Sequence, residues 1–142
     1  MAKFIKFKIS NATTLAAGGD YARDVLVNID DIENVADAVD TGVYTAIVTL
    51  KGIVGLDNEA AAATIGGRIL TLTVSTSATT AVNPTAITVS GNMPSQAIIK
   101  AMTANPGGVA ASAQLGLDGG GVRPADDQMY WSSAVFSSDN AL

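Results

Sequence analysis

The 142-residue chain is 48% hydrophobic and 15% charged, with a formal net charge of −5, which supplies a core and excludes a disordered chain. It has no cysteine and no histidine, which excludes a disulfide framework, a thiolate metal site and the usual nucleophile–base pairs of catalysis. The acidic balance argues against nucleic acid as a partner, and no apolar run reaches the roughly 20 residues needed to span a membrane.

One domain covering 1–142 is expected at this length. The start is strand-like and lacks the continuous apolar stretch of a signal peptide, so synthesis and folding in a cytoplasm are expected. Aromatic residues make up only 5% of the chain, so the core is shallow and open to completion by a partner chain. Charge is unevenly placed. Lys3, Lys6 and Lys8 come first, whereas residues 20–40 hold Asp20, Asp24, Asp30, Asp31, Glu33, Asp37 and Asp40 against Arg23. These are two solvated faces, or a basic strand that meets the acidic stretch of its own chain or of a neighbour.

Residues 3–9 alternate, with Ile5, Phe7 and Ile9 on one face and Phe4, Lys6 and Lys8 on the other. A Thr/Ala/Gly loop over 11–20 precedes a second strand, Val25 to Ile29. In Asp30 to Asp40, the spacing of Ile32, Val35, Ala36 and Val39 predicts a short helix or an acidic turn. Val43 to Lys51 is a strand by propensity, and Gly52 and Gly55 bracket a turn or bulge. Asp57 to Thr64, with four consecutive alanines before Gly66-Gly67, reads as a short helix or as a loop with one helical turn.

Arg68 to Thr76 is a strand with Leu70, Leu72 and Val74 facing one way and Thr71, Thr73 and Ser75 the other. A loop follows to Asn83-Pro84, then a strand over Thr85 to Ser90. Pro94 to Ala104 is the one helix, with an early proline and a stripe of Ala97, Ile98, Ala101 and Met102. Asn105-Pro106-Gly107-Gly108 ends it. Val109 to Leu117 alternates, Asp118-Gly119-Gly120-Gly121 opens a flexible loop, and Gln128 to Phe136 is the last strand, with the only tryptophan. The fold class is therefore mainly β, an antiparallel sandwich or barrel-like domain of about seven strands with one short helix near 94–104.

Reactive constellations are sparse. Asp30, Asp31, Glu33 and Asp37 are hard-oxygen ligands suited to calcium, but without the spacing of an EF-hand. Asp30/Asp31 and Asp126/Asp127 read as turn or strand-end caps ahead of an acid–base pair. Asp118-Gly119-Gly120-Gly121 lacks the pattern of a phosphate loop. In the last strand Tyr130 and Phe136 share parity and Trp131 points the other way, so one face enters the core and the other meets something. A core or subunit contact outweighs a sugar platform. No catalytic residue and no cofactor is expected.

The Met-Ala-Lys-Phe-Ile-Lys-Phe start, the Thr/Val sheet, Asn105-Pro106-Gly107-Gly108-Val109 after the helix, and the Asp127-Gln128-Met129-Tyr130-Trp131 strand resemble small virion structural proteins of marine tailed phages, the cyanophage and pelagiphage kind. The resemblance implies a non-enzymatic shell component made in many copies and located in the virion. Its partners would be copies of itself and a major capsid protein. No functional residue carries over. The expected function is a self-assembling capsid decoration or cement subunit. The alternatives are a subunit of a virion or extracellular tube or filament, and a carbohydrate- or surface-binding β module assisted by calcium. Subunit contacts are expected at Phe4, Lys6, Lys8, Tyr130, Trp131 and Phe136, within the terminal strands 3–9 and 128–136. Removal of residues 1–10 is expected to abolish assembly and leave a soluble monomer.

Overall fold

A computed structural model describes residues 4–10, 23–54, 67–77, 82–84, 87, 90–104, 110–116 and 128–137. Seven strands form one sheet: β1 (Phe4–Ile9), β2 (Arg23–Asn28), β3 (Ile32–Asp40), β4 (Val43–Val54), β5 (Gly67–Ser75), β6 (Ala110–Ser112) and β7 (Tyr130–Ser137). The single α-helix among the described residues, α1, is Pro94–Thr103. The order is β2-β1-β7-β5-β4-β3, with β6 also beside β1. The mainly-β class with one short helix therefore holds. The sheet is open and mixed, because β6 and β7 both run parallel to β1 while the other pairs are antiparallel.

Alternation fixes the inner face. Ile5, Phe7 and Ile9 are buried, as are Leu70, Leu72 and Val74. Ala46, Val48 and Leu50 continue that face on β4. Each fully buried Leu, Ile or Phe contributes about 1.5–3 kcal/mol relative to exposure. The helix covers this face with Ala97, Ile98 and Ala101, and touches β1, β3, β4 and β6.

The 30–40 segment is not a helix. A 3-10 turn, Ile29–Asp31, is capped by the Asn28 side chain, and β3 then pairs with β4 along its length. The register shifts between Ile32 and Asn34, leaving Glu33 as an extra residue. The bulge puts Ile32 and Val35 on the core side, and with Ala38 half-buried on the outer face the half-buried positions recur every third residue, a spacing that imitates a helical stripe. Thr41 and Gly42 close the β3–β4 hairpin with φ of 52° and 81°, the two-residue turn whose twist suits antiparallel strands.

The expected strand over 85–90 is not formed where it is described: Ile87 gives its N–H to the Tyr44 hydroxyl at 3.1 Å, and Ser90 opens a 3-10 turn. Ser75 was expected on the outer face but is buried. Its Oγ accepts from the Ser77 and Val82 N–H groups and donates to the Ser77 carbonyl. The readings for 11–20, 57–64, 105–108 and 118–121 fall outside the described residues.

β1 is not a detachable terminal strand. It lies between β2 on one edge and β6 and β7 on the other. Loss of residues 1–10 would take Ile5, Phe7 and Ile9 from the core, so no soluble folded monomer is expected from that truncation. The charge question divides as well. Lys8 faces Asp24 across the β1–β2 pair, whereas the acids of β3 lie at the opposite end of the sheet, with β7, β5 and β4 between.

Candidate functional site

The side of the sheet away from α1 carries an unusual surface. The ladders align Ala36, Ile47, Thr71 and Val135 in one cross-strand row. A second row runs Ala38, Thr45, Thr73 and Ser133, and a third begins Asn34, Thr49 and Ile69. None of these side chains is charged. Val135 is 49% exposed at the end of the first row, and its neighbours Ile47 and Thr71 are half-buried by one another. Among the described residues of these four strands, charge returns on this face at the margins, with Asp40 and Lys51. β-Branched residues dominate because they pack well on a pleated surface, and hydroxyls alternate with methyls across it.

The residues expected at subunit contacts separate into two groups. Phe4, Lys6 and Lys8 share the outer face of β1, half-buried at Phe4 and Lys6 and exposed at Lys8. Tyr130 is 36% exposed. Trp131 goes the other way and is 3% exposed, packed edge-to-face on Phe7 with ring centroids 5.5 Å apart. Its indole N–H donates to the Ala113 carbonyl at 2.7 Å. Phe136 packs against the same core. The parity expected for this strand fails because the β5–β7 register shifts between Thr73 and Val74, making Ser132 an extra residue. That bulge turns Trp131 to the side of Phe136 and leaves Tyr130 outside.

The acidic quartet does not converge on an ion. The Asp37 carboxylate reaches α1, accepting from the Ser95 N–H at 2.8 Å and the Ser95 hydroxyl at 2.6 Å. Met93, at the helix cap, supplies no side-chain bond, so Asp37 satisfies an orphan donor of the first turn from a neighbouring strand. Glu33 pairs with Arg68 at 3.2 Å, both well exposed. The Asp30 N–H donates to Asn28 Oδ1 at 3.0 Å, and Asp31 closes the same turn. Among the described residues no three carboxylates gather as a metal site.

The outer rows were only partly visible in the sequence. Thr71 and Thr73 stood out by alternation, but their row-mates on β3, β4 and β7 are set by register. Searches against family models, curated proteins and solved structures gave no match to this chain.

Proposed function

We propose that the chain is a non-enzymatic structural subunit that associates with copies of itself through the outer face of the β3–β4–β5–β7 leaf. The observation that carries this is the run of uncharged cross-strand rows in a chain of net charge −5. Two copies of like charge approach with least repulsion where neither presents an ion. Sheets pack face to face through such alternating methyl and hydroxyl surfaces at about 10 Å.

Four strands by three rows span about 400 Å² from strand spacing and rise, less than the ~800 Å² per partner of a stable pairwise interface. One such contact is weak, and several per subunit make a lattice. A decoration or cement subunit on a phage shell, with a major capsid protein as second partner, is what the resemblance to virion proteins implies. Closed symmetry gives a shell and unclosed symmetry gives a tube or filament.

The test is sedimentation velocity with negative-stain imaging, comparing the wild-type chain with the Thr71→Lys/Val135→Lys double variant. Concentration-dependent assembly by the wild type, lost in the variant while its circular dichroism is unchanged, supports the reading. A wild type that stays monomeric to millimolar concentration, or a variant that assembles equally, overturns it.

A further inference from the structure

β6 and β7 share one edge of β1 but not the whole of it. β6 pairs with residues 4–6, and Ala113 gives its N–H to the Lys6 carbonyl at 2.9 Å before the chain departs. β7 joins only at Ile9, where the Ser10 N–H donates to the Trp131 carbonyl at 2.8 Å. Phe7 and Lys8 therefore have no strand beside them on that edge. Neighbouring strands that part in this way leave a crevice, and ligand sites are concave.

A cavity of about 430 Å³ occupies this gap, within the range of small-ligand sites. Leu115, Met129 and Trp131 lie beneath it, each buried in the core. Lys6, Lys8, Gln114, Gln128 and Tyr130 line its walls. Among the described residues the lining includes no carboxylate. Lys6 and Lys8 lie on the same face two residues apart, about 7 Å by strand rise, and neither forms an ion pair among the described residues. Asp24 stands across from Lys8, whereas Leu26 stands across from Lys6, so Lys6 is the cation with no acidic neighbour in the pair.

The remaining polar groups are neutral. Gln128 is held by Nε2 donating to the Met129 carbonyl at 2.9 Å, which leaves its Oε1 as an acceptor. Gln114 and the Tyr130 hydroxyl have no partner among the described residues. The Trp131 N–H is already committed to Ala113, so the buried indole offers the cavity no hydrogen bond.

We infer that this cavity binds a sugar unit bearing one anionic substituent, a carboxylate or a phosphate. The lysines take the anion, the amides and the phenol exchange hydrogen bonds with hydroxyls, and the exposed Tyr130 ring receives the C–H face of the ring. A bare inorganic anion would leave the Tyr130 ring and the two amides unused, and a neutral sugar would leave the Lys6 ammonium unmatched. The site is separate from the outer rows of the β3–β7 leaf and does not depend on self-association.

The experiment is titration of the full chain with glucuronate, glucose 6-phosphate, glucose, acetate and inorganic phosphate, read by Trp131 fluorescence and calorimetry. Saturable binding of glucuronate or glucose 6-phosphate is expected, with the simple anions and glucose at least about tenfold weaker. The ratio of the first two identifies the preferred anion. Lys6→Gln/Lys8→Gln should weaken binding by about tenfold or more, and Tyr130→Ala by a few-fold. Asp24→Asn should strengthen it, and high salt should weaken it. Lys100→Gln, on the exposed side of α1, should change nothing. Unaltered thermal unfolding of the lysine variant and its unaltered sedimentation separate this site from folding and from assembly. Equal response to glucose and glucuronate, equal response to acetate, no saturation by any probe, or an unaffected lysine variant overturns the inference.

Discussion

The two leaves of the sheet are held together by different physics. β3, β4, β5 and β7 are joined by long antiparallel ladders. Among the described residues, the pairing of the leaf of β1, β2 and β6 with them is Ile9 with Trp131. What closes that junction is side-chain burial: the Phe7 ring against Trp131, and α1 lying across both leaves. A sheet continuous by strand order can thus have a junction that depends on two aromatic rings and a helix.

Phe7→Ala strikes the junction and should have the largest effect, a loss of about 3–5 kcal/mol in urea unfolding. If the leaves form one cooperative unit, Trp131 fluorescence and far-ultraviolet circular dichroism will still report the same midpoint. Separate midpoints would show that the ladder leaf survives alone. Asp37→Ala releases α1 from β3 and should cost about 1 kcal/mol, with faster amide exchange in the first helical turn.

Two changes lie wholly inside the ladder leaf. Thr41 is β-branched and holds a positive φ, a conformation that asparagine tolerates better. Thr41→Asn should raise stability by about 1 kcal/mol, seen as a higher urea midpoint at unchanged slope. Glu33→Ala removes an ion pair whose side chains are 39% and 54% exposed, and should move the midpoint by less than about 0.5 kcal/mol. A large effect there would mean that the β3 bulge needs the Arg68 contact.

Strand β1, strand β5 and the helix were legible because their periods are unbroken from end to end. Ile5, Phe7 and Ile9 alternate cleanly, Leu70, Leu72 and Val74 do the same, and Pro94 opens a stripe that is buried as its spacing requires. Strands β3 and β7 were misread at the same kind of place. One extra residue, Glu33 in one strand and Ser132 in the other, breaks a period of two, and a bulge leaves no composition signal. The Thr41-Gly42 turn was legible in principle, since glycine at that hairpin position carries its own chemistry. The outer rows and the crevice beside β1 were not. Both depend on which strands lie side by side, and pairs as distant in sequence as Lys6 with Ala111's neighbour Ser112 leave no local trace.

The parallel contact between β1 and β7 also sets a schedule. Ser10 and Trp131 are bonded across 121 residues of sequence, so β1 waits for β7 to be synthesised. At about 5–20 residues per second that wait is roughly 6–24 s on the ribosome. Until α1 and β6 are made, Ile5, Phe7 and Ile9 lack cover and β2 is their one strand partner among the described residues. Lys6 and Lys8 alternate with those apolar residues and act as gatekeepers against pairing with other nascent chains. Their replacement should therefore lower the yield of soluble protein during synthesis more than it lowers the stability of the finished fold.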